Sequence, residues 1–439
     1  MRKILIVGGG YAGFYTAWKL EKRLRRGEAQ VTMVDPLPYL TYQPFLPEVA
    51  AGSIEPRHAL VAHRRHLKTT RIVTARVTRI DHATKTAQIT PAEGEPWDEQ
   101  YDTIVVTAGS VSRTFPIPGV ADQAIGLKSI EEAMWIRDRL TENFIKASTM
   151  QPGPERDRLL TVVVVGGGFA GIELFGELRS FASALVGAYP EVSMDDTRFH
   201  LIEAMGRIMP EVSLKTAEWV VKRLAQRGAE VHLNTQLASA VGGKIELSTG
   251  ETFESDLIVW TAGVMATPNM RNSDLPLDDR GRVTVRADLR ITDGDEIVAD
   301  AWGAGDVCAV PDLTGDGVGG FCVPNAQHAV RQAKRLAKNI TGVIRGEDPV
   351  DYYHKGLGAV AGIGLYDGVF QSGRLAIKGL VAWFMHRGYH GLAIPTWERK
   401  TRVFGNWIMN FLLRRDLVGI PARDTPAAYF REFASRPKA

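Results

Sequence analysis

The chain is 439 residues long, 45% hydrophobic and 23% charged, too long for one ordinary core and too apolar for a disordered or fibrous protein, so two or three globular domains are expected. Its net charge of +3 gives no reason to expect a nucleic-acid partner, and no stretch approaches the roughly 18 uninterrupted apolar residues of a membrane-spanning helix. Only Cys308 and Cys322 are present, and the sequence enters a strand pattern at once without a leader-like segment, which together point to a reducing, cytoplasmic setting.

Lys3-Ile4-Leu5-Ile6-Val7 reads as a buried strand, Gly8-Gly9-Gly10-Tyr11-Ala12-Gly13 as a turn and residues 14–25 as a helix. An apolar run ending in G-x-G-x-x-G fits a strand that hands a pyrophosphate to the N–H groups and positive dipole of a helix N-terminus. Gly8 permits the turn, Gly10 lets a phosphate approach the backbone, and Gly13 lets the helix pack on the strand. A second strand, 31–34, ends in Asp35, about 20 positions on, where an acid holds a ribose hydroxyl.

Residues 36–47 follow, with prolines at 36, 38, 44 and 47, and are expected to be a loop, neither helix nor interior strand. By position they and residues 48–52 should lie over the cofactor held at 8–13. Short β-like segments come next, at 71–80 and 87–90. The strand 101–106 runs into Thr107-Ala108-Gly109, and Pro116, Pro118 and Gly119 close this part of the chain.

After a helix expected at 129–147 the pattern returns: strand 162–165, Gly166-Gly167-Gly168-Phe169-Ala170-Gly171, a helix opening Ile172-Glu173-Leu174, and strand 199–202 ending in Glu203. The closing phrase returns too, as strand 255–260 leading into Thr261-Ala262-Gly263. A repeat of both glycine turn and closing strand implies two homologous domains and two nucleotide sites, the arrangement of a flavoprotein that takes hydride from a nicotinamide.

Asp300-Ala301-Trp302-Gly303-Ala304-Gly305-Asp306-Val307 is a third signal. A strand ending in Gly-Asp sets a carboxylate where a ribityl or phosphate group can bind; Asp306 as a plain helix cap is the structural alternative. From Pro324 a helix is expected to about Ile340, with a small, polar first turn that suits an isoalloxazine ring and equally suits any capped helix. From Gln371 onward there are twelve basic and four acidic residues, a net +8, which leaves −5 for the rest of the chain. Residues 375–389 and 397–415 look like amphipathic helices. In the second, Phe404, Trp407, Ile408, Phe411 and Leu412 recur at helical spacing, flanked by Arg399, Lys400, Arg402, Arg414 and Arg415. An aromatic, apolar face with basic flanks lies in an anionic bilayer interface; the same stripe also serves as core or as a dimer contact.

With these residues in view, the chain resembles the type II NADH dehydrogenases, single-chain FAD enzymes that reduce quinones. The resemblance runs over essentially the whole chain: residues 7–13, the phrase at 42–52, 166–173, 259–263, Gly305-Asp306, and the stretch from Ala326-Gln327. Of the family's A-Q-x-A-x-Q segment, which lies beside the flavin at the quinone end, Ala326, Gln327 and Ala329 match; the sixth position is Arg331, with Gln332 one place later.

The resemblance implies an α/β fold with two Rossmann-type dinucleotide-binding domains and a C-terminal amphipathic, membrane-associating region. FAD would occupy 1–115 and 280–345, NADH 116–279, and the quinone and membrane region 346–439. It assigns FAD to Gly8, Gly9, Gly10, Tyr11, Ala12, Gly13, Asp35, Asp306, Ala326 and Gln327, and NADH to Gly166, Gly168, Gly171 and Glu203, with Val77 and Gly263 counted among the cofactor contacts. Glu203 should repel a 2′-phosphate and so favour NADH over NADPH, with Arg207 four residues on acting against that preference.

Glu173, Gln327 and Arg331 are the implied catalytic residues. Glu173 matches a family glutamate near nicotinamide and flavin that is credited with proton movement or quinone chemistry; its bland alternative is a first-turn carboxylate favoured by the helix dipole. The implied reaction passes hydride from NADH to FAD and two electrons on to menaquinone or ubiquinone, with no metal and no proton pumping, in a respiratory chain. The enzyme would be a peripheral protein on the cytoplasmic face of the cell membrane, with a homodimer left open. Of the alternatives, a disulfide reductase lacks its C-x4-C pair here. A sulfide:quinone oxidoreductase would work through Cys308 and Cys322, and a ferredoxin-type reductase would not need the basic, aromatic tail. A non-catalytic protein that holds FAD and NADH as a sensor or scaffold comes last.

Overall fold

The computed structural model describes residues 1–315, 317, 319–356, 358–420, 427 and 431. The chain divides into two compact units, one made of 1–42, 60–113 and 263–356, the other of 43–59, 114–262 and the chain from Gly358 onward.

The first unit is built on a six-stranded sheet in the order Arg290–Asp293, Glu296–Gly303, Thr103–Val106, Arg2–Val7, Ala29–Asp35, Arg71–Thr74. All neighbours run parallel except the outermost pair, Arg290–Asp293 with Glu296–Gly303. A central parallel strand is covered on both faces, so it reads as an unbroken apolar run, and Ile4 to Val7 are all buried. Arg2–Val7 lies between strands that come later in the chain on either side. The order of connection therefore reverses at its C-terminal end, where open α/β sheets bind ligands. Helices Tyr11–Arg23 and Ala326–Ile344 pack side by side, with Phe14, Leu20, Leu336 and Ile340 in one core. A separate three-stranded antiparallel sheet holds Arg76–Asp81, Thr86–Thr90 and Trp97–Gln100.

The second unit repeats the plan. Its five-stranded parallel sheet runs Ala124–Ile125, Leu257–Trp260, Thr161–Val165, Arg198–Ile202, Ala229–His232, with the reversal at the end of Thr161–Val165. One face is covered by the three antiparallel strands Leu237–Ser239, Lys244–Leu247 and Thr252–Glu254, whose Ile245 and Leu247 share a core with Val163 and Ile202. Helix Ile130–Ser148 opens on a capping box made by Ser129 and Glu132, a reciprocal pair that satisfies two orphan N–H groups. The C-terminal part is a meander of Ala359–Gly362, Gly368–Ser372 and Leu375–Lys378, then helices Leu380–Ala393 and Trp397–Leu413.

Three expectations are corrected. The proline-rich segment 36–47 is not loop throughout. It holds the strand Tyr39–Thr41, paired with Leu60–Ala62, then the 3-10 turn Gln43–Phe45 and the start of helix Leu46–Ala50. Pro47 stands in the first turn of that helix, where a missing N–H breaks no intrahelical bond. Residues 375–389 are not one helix, because Leu375–Lys378 pairs with Gly368–Ser372 and a four-residue apolar run does not distinguish strand from helix. Finally, the proposed apolar stripe of 397–415 is split, as described below. Among the described residues no helix is long and apolar enough to cross a membrane.

Candidate active site

The two glycine turns match bond for bond. Gly8 N–H reaches Val34 O at 2.8 Å and Gly166 N–H reaches Ile202 O at 2.8 Å. Gly8 and Gly166 have φ of +99° and +112°, a region that only glycine enters freely. A Cβ on Gly13 would lie 1.8 Å from Gly8 O, and one on Gly171 1.9 Å from Gly166 O, so each helix can lie against its strand only through glycine. Gly10 and Gly168, by contrast, have no protein atom within 4 Å of where a Cβ would stand.

The acids at the strand ends hold the turns as well. Asp35 Oδ2 accepts Gly9 N–H at 2.5 Å and Oδ1 accepts Leu37 N–H at 2.7 Å; Glu203 Oε2 accepts Gly167 N–H at 2.6 Å and Oε1 accepts Met205 N–H at 2.8 Å. Burial pushes the Asp35 carboxyl above its ordinary pKa despite those two donors. Arg207 folds back onto the carbonyls of Met209, Pro210 and Val212, so its guanidinium is engaged by its own loop.

Helices Tyr11–Arg23 and Phe169–Val186 begin at Gly10 and Gly168 with no side-chain cap. The helices starting at Ile130, Leu214, Ala326 and Trp397 are each capped by a Ser, Asn or Thr side chain. The N-termini behind Gly10 and Gly168 leave N–H groups and a positive dipole for an anion; Pro154–Leu159 and Leu380–Ala393 also open behind a glycine without a side-chain cap, but outside any glycine turn of this pattern.

Several residues that the sequence pattern does not single out support these turns. Thr107 Oγ1 donates to Val7 O and Gly8 O at 3.0 and 2.9 Å, and Thr261 Oγ1 to Val165 O and Gly166 O at 2.9 and 3.1 Å. The repeated Thr-Ala-Gly phrase was the signal that could have found both. His63 Nε2 lies 2.9 Å from Gly9 O, and burial lowers its pKa to about 4; nothing in the sequence links it to a turn more than fifty positions away.

In the first unit Ser110 Oγ donates to Asp306 Oδ2 at 2.8 Å. Gln332, buried in helix Ala326–Ile344, accepts Gly305 N–H at 2.8 Å. Arg331 Nη1 donates to Gln327 O at 3.1 Å within the same helix. A cavity of about 650 Å³ lies beside Asp306, lined also by Ser110, Arg113, Arg282, Cys308 and His328. Ala326 and Gln327 form the first turn of the helix, behind Asn325, whose side chain accepts His328 N–H at 2.7 Å. Tyr11 packs edge-on to Tyr42 at 6.0 Å, Ala12 is buried, and Gly263 sits at φ +106° with open space at its Cβ position. Val77 is buried in the core of the first unit, which leaves only its backbone for a ligand.

Burial raises the pKa of the Cys308 thiol far above normal and that of Cys322 to about 11. Thiols held protonated are poor nucleophiles, and this counts against a cysteine-based mechanism.

Glu173 belongs to a buried cluster in the second unit. Glu48, Glu173 and Glu177 are all buried. Arg387 Nη2 lies 3.2 Å from Glu48 Oε2 and 3.9 Å from Glu177 Oε1, and Arg415 Nη2 lies 3.1 Å from Glu177 Oε2. Trp407 Nε1 donates to Glu48 Oε2 at 2.8 Å. Two arginines thus serve two carboxylates, while Glu173 Oε1 meets His386 Nε2 at 2.9 Å and accepts Gly362 N–H at 3.3 Å. Burial lowers the pKa of His386 to about 4 and that of His390 to about 3. With neutral imidazoles as its neighbours, Glu173 is raised by burial to about 7. It is poised to exchange a proton near neutrality.

The C-terminal helices divide by face. Phe404 and Trp407 point inward, with Trp407 edge-on to Phe45 at 5.8 Å. Ile408, Phe411 and Leu412 are 58%, 76% and 66% exposed, as are Val381, Phe384 and Leu392 of the preceding helix at about the same level. Arg387 and Arg415 are committed to the buried cluster. Of the charged residues counted in the tail, Arg423, Asp424, Glu432, Arg436 and Lys438 lie outside the described residues.

The family profile described as pyridine nucleotide-disulphide oxidoreductase matches residues 2–333. The chain belongs to that family. This family member is similar to the type II NADH:quinone oxidoreductase of Mycobacterium tuberculosis, 27% identical over 429 residues that cover 94% of this chain and 89% of that one. It is 29% identical to the type II NADH:quinone oxidoreductase of Staphylococcus haemolyticus over 392 residues, 88% and 93% of the two chains. Its fold matches that of NDH2 from Plasmodium falciparum, solved in complex with NADH, with a TM-score of 0.86, 18% identity, and coverage of 95% and 99%. The expected α/β dinucleotide-binding fold is therefore the fold of this oxidoreductase.

Proposed function

We propose that the chain is an NADH:quinone oxidoreductase with FAD as its resident cofactor. The observation that carries the reading is the doubled glycine turn with its two uncapped helix N-termini, joined to full-length similarity to type II NADH:quinone oxidoreductases. The first unit is the FAD domain: the N–H groups after Gly10 hold the pyrophosphate, Asp35 the adenosine ribose, and Asp306, beside the cavity, the ribityl chain. Bound there, FAD supplies the redox chemistry, accepting hydride from NADH and returning two electrons to quinone.

The second unit is the NADH domain, with Gly166, Gly168, Gly171 and Glu203 in the same roles. Arg207 is occupied by backbone carbonyls, so Glu203 acts unopposed against a 2′-phosphate and selects NADH. Glu173 holds a proton at Oε1 or Oε2 below about pH 7 and delivers it towards the quinone oxygen. Gln327 and Arg331, on the first turns of their helix, orient the quinone. In this reading the outward apolar side chains of the two C-terminal helices rest on an anionic bilayer, and the enzyme is a peripheral protein on the cytoplasmic face of the cell membrane.

Anaerobic stopped-flow tests the reading. The purified holoprotein is reduced with NADH and mixed with a soluble menaquinone or ubiquinone analogue while flavin absorbance is followed at about 450 nm. Reoxidation at the rate of steady-state turnover is the expected result. Flavin that NADH reduces and quinone leaves reduced would move the acceptor to another class.

A further inference from the structure

We propose that His200, Glu230, His232 and Glu251 form a binding site for a divalent transition metal ion of the zinc class. In the parallel pairing of the second unit, His200 stands opposite Glu230, and Ile202 opposite His232. Alternation along a strand then sets His200, Glu230 and His232 on one face of the sheet. The antiparallel strands that cover this face bring Glu251 in on the turn between Lys244–Leu247 and Thr252–Glu254. One ligand atom from each of the four residues lies within 4.8 Å of all the others.

The spacing suits a small ion. His200 Nδ1 and His232 Nε2 share a hydrogen bond at 3.1 Å, which an ion would replace, since two ring nitrogens on a tetrahedral zinc ion at about 2.0–2.1 Å stand roughly 3.3–3.4 Å from each other. His200 Nδ1 is 3.8 Å from Glu230 Oε2, while Glu251 Oε2 is 3.7 Å from Nδ1 of His232, the ring nitrogen that does not face His200. A small rotation of the half-exposed Glu230 carboxylate brings it to an ion held between His200 Nδ1 and His232 Nε2, and Glu251 joins by a larger swing of its half-exposed side chain. The His200 ring is fixed by stacking on Phe253, centroid to centroid 4.0 Å at 17°, so Nδ1 is held facing its neighbours.

Two imidazoles with two carboxylates favour zinc, copper or nickel over magnesium and calcium, which take oxygen ligands. The nucleotide-binding and proton-transfer roles proposed above use none of the four. Their place in the fold gives the ion a consequence, because His232 O accepts Glu203 N–H at 2.8 Å. A bound ion ties that strand end to the covering sheet and stiffens the turn that presents Glu203.

The full-length holoprotein, treated with EDTA and desalted, is titrated with zinc against a chromophoric chelator, and its melting temperature is followed. One equivalent bound at a dissociation constant of about 1 μM or below is expected, with a melting temperature several degrees higher at saturation and no change with magnesium. His232→Gln should weaken binding at least ~100-fold and the exposed Glu251→Gln at least ~10-fold. If His232→Gln does not fold, Glu230→Gln, at an exposed position, makes the same comparison. Binding no tighter than about 100 μM, or variants that bind zinc like the parent, would overturn the proposal.

Discussion

Gly168 and Gly171 stand three positions apart and answer for different things. At Gly168 a Cβ meets nothing, and the backbone is extended at φ −70°, so Gly168→Ala should melt within a degree or two of the parent. Its methyl group would stand where a phosphate approaches, and NADH affinity should fall at least tenfold, ~1.4 kcal/mol. Gly171→Ala puts a methyl group 1.9 Å from Gly166 O and should cost about 1–3 kcal/mol of stability or more. Thermal melts without NADH and NADH titrations separate the two effects; a Gly168→Ala enzyme that binds NADH normally would remove this turn from the site. Glu173→Gln makes the parallel test of proton transfer. The parent should reduce quinone more slowly as pH rises through about 7, because the proton on Glu173 is lost there. The variant should be ~100-fold slower and flat across that range, with flavin reduction by NADH unchanged. A pH profile that keeps its step near 7 in the variant would assign the step to another group. At this scale the glycine turns were legible in the sequence because steric demand there leaves one residue type, and the acids that hold them because each ends the next strand of the repeat. His63 and Gln332 were not, since each acts through a hydrogen bond to backbone that is distant in the chain; Thr107 and Thr261 were marked only by the repeated Thr-Ala-Gly phrase.

Elements with long periodic patterns were readable, and those defined by partners were not. The helix expected at 129–147 is Ile130–Ser148, and both central strands lie where an unbroken valine and isoleucine run requires them. Leu375–Lys378 reads as part of a helix in the sequence because its strand character comes from pairing with Gly368–Ser372. The last helix shows the limit of periodicity most clearly: Phe404, Trp407, Ile408, Phe411 and Leu412 fit one apolar stripe, but it is wide enough to serve two faces. Trp407 caps the buried cluster by donating to Glu48, while Phe411 and Leu412 face outward. The two sets should therefore fail differently. Phe411→Asp with Leu412→Asp should leave the melting temperature nearly unchanged and lower co-flotation with anionic vesicles several-fold. Trp407→Ala should lower stability by about 3–5 kcal/mol through lost packing and the loss of a buried donor. Vesicle binding that ignores the outward pair would shift the stripe to a protein contact.

For the molecule as a whole, the distribution of buried titratable groups governs its response to acid. His63, His386 and His390 have folded-state pKa values of about 4, 4 and 3, each depressed by burial, against about 6.5 in an unfolded chain. Between those limits the unfolded chain binds more protons, so stability rises with pH there and is lost as pH falls from about 6.5 towards 4. Glu173 acts in the other direction. Its pKa of about 7 exceeds the ordinary carboxylate value of about 4.3, so the folded state binds the extra proton and gains stability as pH falls through that interval. Glu48 is raised by burial in the same sense. Three histidines with shifts of about two units or more outweigh Glu173, and Arg387 beside Glu48 limits what it gains. The net expectation is a melting temperature that is highest near neutrality and lower at pH 5 than at pH 7, measured by calorimetry on the holoprotein at constant ionic strength. Replacing His63, whose pKa is lowered by burial against its bond to Gly9 O, by Gln should flatten part of that slope without changing the Glu173 step in quinone reduction. A melting temperature that holds or climbs between pH 7 and pH 5 would mean that the buried histidines accept protons inside the fold, and that the cluster around Glu173 carries more positive charge than its geometry implies.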